Sequence, residues 1–142
     1  MWTVLKFEKK SLGLLKEDLK KKLGSDFKIY IPKIRIQKYK NNKLIDKEFN
    51  LLGDYLFCFH KNLESKSIIN SLRFLRGLKY FLDGLVESQR DIEKFIEKCK
   101  ESECEKGFLS REFFDLNINT KYRFSSGPFT DKIFHIIDLQ KN

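Results

Sequence analysis

Apolar residues recur along this chain with two periods, and the changes of period mark its elements. Trp2 to Glu8 alternate and carry β-favouring side chains, which predicts a first strand. Ser11 is placed to cap a helix running to Leu23, with Leu12, Leu15, Leu19 and Leu23 on one stripe and Lys16, Lys20, Lys21 and Lys22 facing water. Gly24 is placed to stop it. The stretch "FKIYIPKIRIQKYK" then alternates around Pro32, with Phe27, Ile29 and Ile31 before it and Ile34 and Ile36 after it. A proline there implies an edge position or a bulge. "NNK" at Asn41 to Lys43 is turn chemistry and folds a basic hairpin containing Lys38, Lys40, Lys43 and Lys47.

The next run, "NLLGDYLFCFH" from Asn50 to His60, places Tyr55, Phe57 and Phe59 on one strand face and Leu56 and Cys58 on the other. Both faces are apolar, so one covers the helices and the second needs another cover. A helix is expected from Ser65 to Arg76, with Ile68, Ile69, Leu72 and Leu75 buried and Gly77 as its stop. "LKYFL" (Leu78 to Leu82) reads as a strand turning at Asp83-Gly84. Ser88 and Asp91 form a capping box for a third helix that buries Ile92, Phe95, Ile96 and Cys99. Lys100 to Lys106 reads as a polar linker, and Tyr122 to Leu139 as a turn at "SSGPF" followed by a β-like run, "IFHIID". The order β-α-β-β-β-α-β-α predicts an α+β sandwich, ferredoxin-like, with helices on one face of an antiparallel sheet.

Composition narrows the function classes. The 142 residues suit one domain, or one domain with an appendage, and an apolar share of 41% argues against global disorder. No apolar run is long enough for a membrane helix, and the apolar stretch in "MWTVLKFEKK" is too short for a signal peptide, so a cytoplasmic protein without a membrane partner is expected. The net charge of +9, from 29 basic against 20 acidic residues, points to a polyanionic partner such as nucleic acid. Three cysteines, Cys58, Cys99 and Cys104, cannot all pair, which suits a reducing compartment. With His60 and His135 distant in sequence, they do not make a zinc signature, and no metal or other cofactor is expected. GxSxG, P-loop and GxGxxG motifs are missing, and His60 reads as a strand-end residue rather than a base. The sequence therefore reads as a non-enzyme.

Four stretches, in order, resemble the NusG family of transcription elongation factors. "MWTVLKFE" is similar to the tryptophan strand that opens the family's amino-terminal domain. "IPKIRIQKYKNNKLIDKEFNLLGDYLFCFH" resembles its charged hairpin and the aromatic strand after it, with Gly53-Asp54 where the family has Pro-Gly. "IINSLRFLRGLKYFL" resembles the helix that ends in Arg and Gly, here lengthened by Phe74 and Leu75. "RFSSGPFTDKIFHIID" is similar to the start of a KOW motif, too short for a complete barrel. The resemblance implies a NusG-like amino-terminal domain over residues 1–100, a linker over 101–118 and a partial KOW-like β segment over 119–142.

It also implies a function: an elongation or antitermination factor, with the divergence favouring a specialised, RfaH-like bacterial or phage paralogue. In this family an apolar depression docks onto the clamp helices of the largest RNA polymerase subunit. Tyr55 and Phe57 fall at positions that form it, with Phe81 on the neighbouring strand as an addition. Related proteins mask that surface with their own carboxyl-terminal domain. Ser65, Lys66 and Ser67 correspond to the stretch that touches the polymerase lobe, so that two contacts bridge the cleft and suppress pausing or termination. Lys9, Lys10, Arg73 and Arg76 fall on the face that lies over upstream or non-template DNA. A complete KOW domain, where present, adds a ribosome or termination-factor contact. The alternative is a stand-alone RNA-binding module whose sheet aromatics stack on bases. "DYLFCFH" lacks the Gly and basic residues of the usual RNA-binding strand.

Overall fold

The computed structural model describes residues 1–110 and 128–139. They form a mixed α+β protein with antiparallel sheets and four α-helices, β1 (Trp2–Phe7), α1 (Leu12–Leu23), β2 (Lys28–Tyr30), β3 (Lys33–Lys40), β4 (Lys43–Asn50), β5 (Tyr55–Phe59), α2 (Lys66–Ser71), β6 (Leu78–Phe81), α3 (Gln89–Ser102) and α4 (Pro128–Leu139). Short 3-10 turns precede α1, α2 and α3. The chain divides into two compact units: Met1–Ile31 with Asp54–Gln89, and Pro32–Gly53 with Arg90–Asn142. None of the described helices is long and apolar enough to cross a membrane.

The first unit is built on a four-stranded sheet of order β2-β5-β1-β6, every neighbouring pair antiparallel. Register decides its two faces. Leu5 stands opposite both Leu56 and Phe81, and Ile29 opposite Cys58, so these side chains share one face. That face carries the unit's core: Leu5, Phe7, Leu56 and Cys58 pack with Leu15 and Leu19 of α1 and with Leu63 and Leu72. The expected leucine stripe of α1 is present, Leu15 and Leu19 fully buried and Leu12 and Leu23 partly so. Gly24 ends the helix at φ 84°, donating its N–H to Lys20 at 2.9 Å.

The second helix is shorter than its apolar spacing predicts. Ser65 caps it by accepting from the Ile68 N–H, but the helix stops at Ser71 rather than Arg76. Beyond it the N–H groups of Leu72, Arg73, Leu75 and Leu78 reach back three residues, giving tight turns. Arg76 then turns away from the helix path, its N–H donating to Asp18 Oδ2 at 3.0 Å. Gly77 follows at φ 81°, and its carbonyl accepts from the Glu8 N–H at 2.9 Å.

In the second unit, β3 and β4 form a separate two-stranded ribbon. It turns at Asn41 and Asn42, with φ of 55° and 61°, the pair of positive values of a type I′ turn. Pro32 lies neither at an edge nor in a bulge but between β2 and β3, where its missing N–H interrupts the ladder and its carbonyl accepts from Leu51 at 2.9 Å. Residues expected as a linker are partly structured: α3 runs on to Ser102, and Leu109 pairs in parallel with Ile34. The α3 stripe of Ile92, Phe95, Ile96 and Cys99 is buried as its spacing predicts.

The last described element corrects the sequence reading. "IFHIID" is not a strand: it lies within the α4 helix, whose first residue is Pro128. Phe129, Ile133, Phe134, Ile136 and Ile137 are buried, a helical stripe, and the Phe129 ring meets Phe95 edge-on at 6.1 Å. The rest of the expected KOW-like segment, including the turn residues Ser125 to Gly127, lies outside the described residues.

Candidate docking surface

The sheet face of the first unit that points away from its α1 and α2 core is lined with rings. Tyr55, Phe57 and Phe59 share it, as their alternation predicts, and register adds Trp2, Val4 and Lys6 from β1 and Tyr30 from β2. Phe57 sits at its centre. Trp2 meets it edge-on at 6.4 Å, and Tyr30 stacks on it at 6.4 Å with 22° between planes. Trp2 also lies against Phe59 at 5.3 Å, with Lys28 Nζ 5.7 Å from the Phe59 ring.

Towards β6 the surface becomes amphipathic. Lys6 stands opposite Tyr55 on one side and Tyr80 on the other. Its ammonium lies 5.5 Å and 5.8 Å from their ring centres, and the two hydroxyls join at 2.8 Å. The hydrogen bond to Tyr80, reinforced by partial burial, pushes the Tyr55 phenol up to about 12.

Of the three rings expected to dock, the structure brings two together. Phe81 stands opposite Leu5 and packs against the α1 core, on the other face from Tyr55 and Phe57. One position of register separates it from Tyr80, which takes its place beside Tyr55. Phe57 has no exposed surface, whereas Tyr55 and Phe59 are half-buried and Tyr80 is exposed. Sequence reasoning missed Lys6, Tyr80 and Gln89. The Gln89 amide accepts from the Trp2 N–H and donates to the Trp2 carbonyl, both at 2.7 Å. Strand β6 ends short of Trp2, and Gln89 supplies the ladder bonds it leaves unmade.

The polar candidates divide similarly. Ser65 Oγ is occupied by its capping bond and by Ser67 Oγ at 2.9 Å, while Lys66 and Ser67 are exposed. Lys10 and Arg73 are exposed, and Lys9 lies 3.8 Å from Asp54. Arg76 is held differently. Its guanidinium forks onto Asp18, with Nη2 at 2.7 Å and Nε at 3.1 Å, and reaches Glu17 at 3.8 Å. This pairing holds the Asp18 carboxyl down to about 2 and makes Arg76 a tie between α1 and the turn before β6.

His60 sits at a strand end: its buried ring caps the following 3-10 turn by accepting from the Asn62 N–H at Nδ1, 3.1 Å. Cys58 and Cys99 are buried thiols, and burial pushes Cys58 up to about 12. Cys104 is exposed and lowered by the backbone N–H groups of Phe108 and Lys106. Among the described residues no three His, Cys, Asp or Glu side chains are grouped to hold a metal. No protein-family model matches the chain, and no curated protein is similar to it.

Proposed function

We propose that the protein is a transcription elongation or antitermination factor of the NusG type, which docks onto the clamp helices of RNA polymerase and bridges its main cleft. The observation that carries this reading is the ring-bearing sheet face opposite the helices, where Tyr55 and Tyr80 flank Lys6 beside Trp2 and Phe59. Half-exposed aromatics with few conformers suit capture of paired helices, a small number of anchors supplying most of the affinity. Phe57 acts as the floor that holds them. The strand order β2-β5-β1-β6, with α1 and α2 in the two crossovers, supports a ferredoxin-like reading of the first unit, with β3 and β4 inserted between its second and third strands.

Lys66 and Ser67 are then the lobe contacts, and Lys9, Lys10 and Arg73 the cations available to nearby DNA phosphates. Two contacts across the cleft favour the closed clamp and lower the population of states that pause or release, with no chemistry on the protein's part.

The test mixes the purified protein with RNA polymerase core and, separately, with single-stranded RNA, then repeats both with Tyr55→Ala plus Tyr80→Ala. Polymerase binding that weakens at least about tenfold in the variant supports the reading. A protein that ignores polymerase overturns it. Binding to RNA alone, lost in the same variant, transfers the rings to base stacking.

A further inference from the structure

The β3–β4 ribbon has one face whose charge has no counterpart. Side chains alternate, so Lys38 and Lys40 share a face with their partners Ile45 and Lys43, and Lys47 joins them opposite Ile36. Every acidic residue of the two strands is on the other face, Asp46 opposite Gln37 and Glu48 opposite Arg35. Arg35 Nη2 meets Glu48 at 2.6 Å. Lys38, Lys40, Lys43 and Lys47 are exposed, and none has an ion-pair partner among the described residues. Lys40 and Lys43 stand directly opposite each other beside the turn, an arrangement that costs stability.

We infer that this lysine face of the ribbon seats on the phosphate backbone of duplex DNA. The four cations spread over four residue steps of the ribbon, from the Lys40–Lys43 pair to Lys47, about 14 Å at roughly 3.4 Å per residue, matching a short row of phosphates rather than a single anion. A two-stranded ribbon fits the major groove of B-form DNA, while the deep, narrow major groove of A-form RNA excludes it. Ile45, 43% exposed among the lysines, adds apolar contact with sugars, and nothing on this face reads bases. The inference is independent of polymerase docking: a chain that ignores polymerase still shows it.

The test titrates a labelled mixed-sequence DNA duplex with the full chain over a range of salt. It compares the natural protein with a variant carrying Lys38→Gln, Lys40→Gln, Lys43→Gln and Lys47→Gln, and with a charge-matched control carrying Lys16→Gln, Lys20→Gln, Lys21→Gln and Lys22→Gln. Four phosphate contacts at a slope of roughly −0.9 each predict that the ribbon's share of the affinity falls about 150-fold between about 50 and 200 mM salt. The ribbon variant loses about 3 to 4 from that slope, and the control keeps it. Thermal unfolding separates misfolding from lost contacts, because removing the Lys40–Lys43 opposition leaves the ribbon variant at least as stable as the natural protein. An unchanged slope in the ribbon variant, an equal loss in the control, or binding of single-stranded DNA or duplex RNA as tight as that of duplex DNA overturns the assignment.

Discussion

Tyr55 and Tyr80 stand on strands that do not pair with each other, yet their hydroxyls meet at 2.8 Å across β1. The Lys6 ammonium lies near both rings. The bond makes Tyr55 a reporter of the surface. Its phenol, raised from 10.0 to about 12, adds stability that is complete below pH 10 and is lost as pH rises through about 12. Absorbance titration of the phenols is expected to resolve one late-titrating tyrosine, and Tyr80→Phe is expected to return it towards 10.0. A late phase that survives Tyr80→Phe refutes the pairing.

Phe57 and Tyr55 separate support from recognition. Phe57→Ala empties a fully enclosed site between Trp2 and Tyr30 and is expected to cost about 3–5 kcal/mol in chemical denaturation. Tyr55→Ala removes a half-exposed ring and costs about 1 kcal/mol, while removing a docking anchor. Equal stability losses in the two variants contradict this division.

The Asp18–Arg76 fork predicts a limb of acid sensitivity. A carboxyl held down to about 2 from 3.8 contributes stability present above pH 3.8, which fades as pH falls towards 2. Denaturation midpoints measured through that range are expected to drop less steeply in Asp18→Asn than in the natural protein. Parallel profiles would remove Asp18 from the account.

Gly77 leaves no room for a side chain. At φ 81° a side chain is strained, and a Cβ would stand 2.8 Å from the Ser11 carbonyl oxygen, which is backbone and cannot swing aside. Gly77→Ala is therefore expected to cost on the order of 2 kcal/mol or more, read as a lowered denaturation midpoint. A variant as stable as the natural chain shows that the two segments part easily.

Much of the fold was legible locally. The Asn41–Asn42 turn, the α1 leucines and the Ser65 cap are decided by residues within a turn or two of one another. What failed depended on distant partners. "IFHIID" is short enough to suit a strand or a buried helix, and only the fuller stripe from Phe129 to Ile137, with Pro128 at its start, selects the helix. The helix expected to reach Arg76 gives way to tight turns after Ser71, and Asp18, far away in sequence, takes the Arg76 N–H. The docking face shows the same division. Alternation within β5 grouped Tyr55 with Phe57, but the choice between Tyr80 and Phe81 rests on pairing with β1, where the register shifts between Lys6 and Phe7.

Pro32 has an architectural consequence. Strands β2 and β5 pair directly, Tyr30 opposite Phe57, although residues 32–53 intervene between them. The central sheet closes by its own ladder, while the excursion makes its backbone pairings elsewhere, β3 with β4 and Ile34 with Leu109. The ribbon can therefore change length at its Asn41–Asn42 tip while Tyr30 and Phe57 keep their register.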